Sequence, residues 1–172
     1  MSAEAIIGMW KDVRKGLIGE VEKIPEDQFS FRATPETRSI AEVLHHIIEV
    51  QKILVGETCR DESNLRRQSF AAHTKEYAPE VTNAADKQAI IDELQRSMEE
   101  AEPCVRSYAE KWNEPMSSID GRPSTKGAIL TFAVSHEMYH RGQLTVYERL
   151  LDIEPALTGR LKKLFAASGS SD

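Results

Sequence analysis

The sequence predicts an all-α protein, an up-down four-helix bundle with a long excursion between its second and third helices. Three observations lead there. Apolar residues recur at helical spacing over four long stretches. Clusters of Pro, Gly and polar residues separate those stretches. Strand-like alternation is scarce, which leaves helix-on-helix packing as the way to bury a core.

The first helix is expected from about Ala3 to Lys23, where Ile6, Ile7, Trp10, Val13, Leu17 and Val21 share one face and Pro25 closes it. A loop follows to Thr37. The second helix should open with Ser39 as N-cap and Glu42 as its capping-box partner, and stop around Gly56. The polar stretch from Thr58 to Ala85 reads as an excursion, a lid or a partner-facing segment with a helical turn near Phe70. The third helix is expected over Asp86 to Glu110, with a kink or break at Pro103. Trp112 to Thr125 reads as a connector, and the fourth helix as running from Thr125 to about Leu151. A short helix over Leu157 to Ala166 completes one domain over residues 1–167, with 168–172 as a disordered tail.

At 172 residues the chain suits one domain with a good core. The net charge of −6 argues against a nucleic-acid partner, and the pairs Arg66-Arg67 and Lys162-Lys163 are too short to track phosphates. No apolar run approaches the roughly 18 residues of a membrane span. The first residues carry no basic segment of a secretory signal, so the expected location is cytoplasmic. Cys59 and Cys104 form no CxxC pair and read as separate structural thiols.

The histidines carry the chemical signal. His136 and His140 stand one turn apart on the fourth helix. Projection puts them beside Ile129, Phe132, Ala133, Tyr147 and Leu150, in the middle of the face expected to be buried, with Glu137, Arg141 and Glu148 turned away. Two stacked core imidazoles need partners for four ring nitrogens, and a shared metal ion satisfies one nitrogen of each. On the second helix His46 lies at the edge of the apolar stripe, whereas His45 falls with Arg38, Glu49 and Lys52 on the polar side. His46 is therefore the expected third ligand and His45 a solvated residue. His73, in the excursion, reads as a surface histidine, with delivery to the ion by a closing lid as the alternative.

His136-Glu137-Met138-Tyr139-His140 also matches H-E-x-x-H, in which the Glu is the base of a metalloprotease. The elongated form fails, because Gln143 and Val146 stand where it needs Gly and His. No strands are evident to flank the helix, so a protease is the lesser alternative. Glu137 reads as a surface residue pairing with Arg141, with general base as its second role. Gln143 shares the face of His140, where it would either hydrogen-bond a ligand on the ion or pack against the next helix. Tyr139 and Tyr147 flank the site, as core residues more than as catalytic ones.

The strings Ser39-Ile40-Ala41-Glu42-Val43-Leu44-His45-His46-Ile47 and His136-Glu137-Met138-Tyr139-His140-Arg141-Gly142-Gln143-Leu144 closely resemble the DinB-like superfamily of four-helix metalloenzymes, kin to bacillithiol transferases and mycothiol-dependent isomerases. The resemblance spans nearly the whole chain. It implies a three-histidine site on His46, His136 and His140, a divalent ion (Zn or Ni first, Fe or Mn otherwise) and a homodimer. It also implies a small-molecule substrate and a low-molecular-weight thiol as co-substrate. Three neutral imidazoles leave coordination positions open, and an ion so held lowers the pKa of a bound water or thiol. The expected function is a metal-dependent thiol S-transferase or hydrolase. The contrasting expectation is a non-catalytic, stress-related bundle whose metal is structural.

Overall fold

Side-chain caps fix where the helices begin. Ser2 accepts from the Ala5 amide and starts α1 (Ala3–Lys23). The reciprocal box forms as expected at α2 (Ile40–Thr58): Ser39 accepts from the Glu42 amide, and the Glu42 carboxylate accepts from the Ser39 amide. Ser69 caps α3 (Phe70–Tyr77), Asp86 caps α4 (Lys87–Ser107) and Thr125 caps α5 (Lys126–Leu150). A last helix, α6, covers Ala156–Ser168. The computed structural model describes residues 2–81 and 86–168. Most of the expected tail, and the end of the excursion, lie outside the described residues.

The four long helices form a bundle in which α1 and α2 each lie against both α4 and α5. Their directions follow from the contacts. Lys87 at the start of α4 bonds the Glu22 and Ile24 carbonyls at the end of α1, and Arg106 near the end of α4 meets Glu4 at the start of α1. Tyr147 near the end of α5 reaches the Arg38 carbonyl just before α2. The order is up, down, down, up, so the neighbours α2 and α4 run parallel. Joining them takes a return of one helix length, about 28 Å for the 19 residues of α2. The excursion is that return, and α3 is its α-helical part.

Two apolar clusters fill the bundle. One gathers Ile6, Ile7 and Trp10 of α1 with Ile53 and Leu54 of α2, and Leu130 and Val134 of α5. The other gathers Leu17 and Val21 with Leu44, Ile48, Ile90, Leu94 and Leu144. A buried polar network joins all four helices. Arg14, 3% exposed, donates to Glu137 at 2.6 and 2.8 Å, to Ser97 Oγ at 3.0 Å, to Gln51 and to the Leu94 carbonyl.

Several expectations need correction. The connector is not structureless: Pro115–Ser117 (β1) pairs antiparallel with Pro123–Thr125 (β2), and Gly121 turns the hairpin at φ +83°. Helix α4 passes through Pro103 without breaking. Cys59 and Cys104 are joined as a disulfide between α2 and α4, their Cα atoms 6.1 Å apart. No helix of the described residues is long and apolar enough to cross a membrane.

Candidate metal centre

Helix α5 meets both α1 and α2, so two of its faces are covered. Leu130, Val134, Glu137, Leu144 and Glu148 are buried on one, and Ile129, Ala133, His140 and Tyr147 on the other. Single-face projection could not resolve this, because it treats charge as a sign of exposure. Phe132 and Leu150, expected inside, are more than half exposed, and Tyr139 is 73% exposed with its ring edge-on to His140.

The structure brings His46, His136 and His140 together, with one ring nitrogen of each within 4.8 Å of the others. His46 Nε2 and His136 Nε2 are 3.2 Å apart. Two nitrogens bound at 2.0–2.1 Å to one tetrahedral ion stand about 3.4 Å apart, so the spacing suits a shared divalent ion. The donor chemistry fits as well. Burial holds His46 down at about 4, helped by the charges of Arg38 and His140. Burial, with His140, His46 and Arg38, takes His136 down to about 3. Burial also lowers His140, against a raising hydrogen bond from Gln143. All three rings are therefore neutral near pH 7, the form that ligates.

A hydrogen-bond chain orients His140. Its Nδ1–H donates to Gln143 Oε1 at 3.0 Å, Gln143 Nε2 donates to the Tyr147 hydroxyl at 3.0 Å, and that hydroxyl donates to the Arg38 carbonyl at 3.0 Å. This tautomer leaves the lone pair on Nε2. Both ends of the Gln143 amide are thus engaged, one by the His140 ring and the other by the Tyr147 hydroxyl. Tyr147 is core, as expected.

Glu137 is not the surface residue that sequence reasoning offered. It is 1% exposed, and its oxygens accept from Arg14 and, at 2.8 Å, from Trp10 Nε1. Arg141, its expected partner, pairs with Glu20 at 2.8 Å. His73 is buried too: its ring nitrogens stand 3.2 Å from the Leu65 carbonyl and from Gln68 Nε2, so it is not a surface residue. It is also not in the histidine group. His45 is half-buried on α2, near Glu49.

His46 and His136 open into a cavity of about 860 Å³. The excursion (Leu65, Arg66, Phe70) and the hairpin (Ile119, Arg122) supply the walls beyond α2 and α5. Sequence reasoning did not bring these residues to the site: Arg66 stood out only as half of a short basic pair, and the hairpin lies in what read as a connector.

The model of the DinB family matches residues 1–168 of this chain. No curated protein matches it. Among solved structures, a DinB-like protein from Bacillus subtilis is 19% identical with a TM-score of 0.64, over 86% of this chain and 92% of that one. A DinB-like protein from Bacillus cereus is 15% identical with a TM-score of 0.67, over 90% and 95%. A mutant of the mycothiol-dependent maleylpyruvate isomerase is 12% identical with a TM-score of 0.65, over 84% of this chain and 61% of that one. At these identities the likeness is one of fold.

Proposed function

The chain belongs to the DinB family, and from that premise we propose that it is a divalent-metal-dependent thiol S-transferase with His46, His136 and His140 as ligands. The observation that carries the reading is the convergence of three neutral imidazoles, two of which line a cavity large enough for a small molecule. Among the described residues no fourth ligand-type side chain joins the group. That favours an open, catalytic site over a closed structural one. The mycothiol dependence in the name of one structural neighbour favours a thiol as the nucleophile.

A divalent ion held here supplies a Lewis acid that lowers the pKa of a thiol or water and polarises the group under attack. The chain's own residues do the rest. Burial keeps the rings unprotonated, and the Gln143–Tyr147–Arg38 chain fixes the His140 tautomer. The apolar wall formed by Val50, Ile53 and Ile129 excludes bulk water from one side of the site. Glu137 has a structural part in this scheme, because its oxygens are held by Arg14 and Trp10.

The test begins with elemental analysis of purified protein. One divalent ion per chain is expected, lost in His46→Ala, His136→Ala and His140→Ala and kept in His45→Ala. Gln143→Ala should weaken metal affinity by about 10–100-fold, the usual cost of losing an orienting partner. Thiol-transfer assays on the loaded protein then separate transferase from hydrolase: turnover that needs no thiol assigns the reaction to water. Metal retained in His46→Ala but lost in His45→Ala would overturn the ligand set.

A further inference from the structure

We infer that the cavity beside the three histidines takes an organic monoanion, an apolar body ending in a carboxylate that pairs with Arg66. The inference deepens the proposed function by naming the substrate class. It rests on that reading only in placing the reactive end of the molecule at the histidines.

Consider first the walls. Val50, Ile53 and Leu54 of α2, Ile129 and Phe132 of α5, and Ile119 of the hairpin give an apolar lining. At about 860 Å³ the space is within the usual range for small-molecule sites. A lining of this kind favours burial of a hydrocarbon or aromatic body, at about 25 cal/mol for each Å² removed from water.

The charge sits among these walls and is unbalanced. Arg66, Arg122 and Asp120 are the formally charged residues of the lining. Arg122 and Asp120 pair with each other at 2.9 Å. Arg67, the neighbour of Arg66, is taken by Glu57 and Glu76, each at 2.5 Å. Among the described residues Arg66 has no acidic partner, so the side chains of the lining, apart from any ion held by the histidines, carry one net positive charge on a chain whose net charge is −6.

Arg66 is also held in place. Its amide donates to Asn64 Oδ1 at 2.9 Å, and Asn64 bridges to Ser117 of the hairpin. Its guanidinium lies against Gly121, where a Cβ would strike it; the turn glycine makes room for the arginine as well as supplying φ +83°. The side chain is exposed and rooted at its backbone, and its guanidinium presents the planar fork that a carboxylate matches. One unpaired cation balances a monoanion and would leave a phosphate dianion half-compensated.

The test compares 4-phenylbutanoate, its amide and a phosphate monoester of the same body by titration calorimetry, on metal-loaded protein and after chelation. The acid should bind about three- to tenfold more tightly than the amide at low salt, less so at high salt. The preference should vanish in Arg66→Ala, survive in part in Arg66→Lys and persist after chelation. Equal binding of acid and amide overturns the proposal. So does a preference that survives Arg66→Ala and is lost on chelation, since the carboxylate would then sit on the ion. A phosphate monoester that binds tighter than the acid overturns the choice of a monoanion. If the protein holds no metal yet the preference still follows Arg66, the metal reading fails and the acid site stands.

Discussion

Substituting Glu137 separates a structural clamp from a catalytic base. Its carboxylate neutralises Arg14 at 3% exposure and accepts the Trp10 indole proton. Glu137→Ala leaves a buried guanidinium without its counter-charge. Removing one partner of such a pair costs about 3–5 kcal/mol, against roughly 5–15 kcal/mol for a whole domain. For a chain of this size each kcal/mol lowers Tm by about 2–4 °C, so the expected fall is roughly 6–20 °C. Glu137→Gln keeps an acceptor for Trp10 and should lose less. Replacing the pair together, Arg14→Met with Glu137→Leu, should recover much of the loss, because no buried charge is left alone. About 1–3 kcal/mol should persist for the unsatisfied Trp10 N–H. Urea unfolding followed by far-UV circular dichroism measures all three variants beside the wild type, together with metal content and turnover of the folded fraction. Metal content should match the wild type in each. A Glu137→Gln protein with wild-type stability, full metal content and abolished turnover would refute the clamp and restore the base.

Two further outcomes are expected. Glu148 is buried without a hydrogen-bond partner for either oxygen, and burial, then the charge of Glu20, push its pKa up to about 8. The folded state therefore keeps a proton that the unfolded chain releases near 4.5, so this group's contribution is full below 4.5 and is lost as pH rises toward 8. Stability should decline across that window by up to about 1.4 kcal/mol per pH unit, and the slope should flatten in Glu148→Gln; an unchanged slope in the variant assigns it elsewhere. We also expect a homodimer, because Phe132, Tyr139, Val146 and Leu150 form an exposed apolar stripe along α5. Light scattering should give twice the chain mass of 19.3 kDa for the wild type and the single mass for Val146→Asp; a wild-type monomer at micromolar concentration removes the claim.

What could be read from the chain was local. The α1 boundaries and the Ser39–Glu42 box follow from signals within a few residues of each end. The histidine spacing on α5 and the edge position of His46 follow from helical geometry alone. What could not be read depends on partners far along the chain. Glu137 meets Arg14 across 123 residues and Arg141 meets Glu20 across 121, so charged residues that pattern as solvent-facing are inside. His73 is buried by the path of the excursion, which sequence cannot trace. The strands at Pro115–Ser117 and Pro123–Thr125 are three residues each, too short for alternation to show. The parallel run of α2 and α4 was hidden for the same reason: helical period says nothing of direction.

The H-E-x-x-H string shows how far a motif carries. Its i, i+4 histidines share one helix face whatever the fold, so the spacing points to a ligand pair. The glutamate between them projects about 100° from the first histidine. Its role is set by how the helix is rotated against its neighbours. In this bundle α5 turns His136 and His140 toward His46 and turns Glu137 toward Arg14, which also bonds Gln51 of α2 and Ser97 of α4. The residue that would be a base on another scaffold instead ties all four helices together, one position along from a histidine of the candidate centre. The clamp restrains α5 at the level of the histidines, so positions 136 and 137 serve the site by different routes: one faces the cavity and the other holds the helix that presents it.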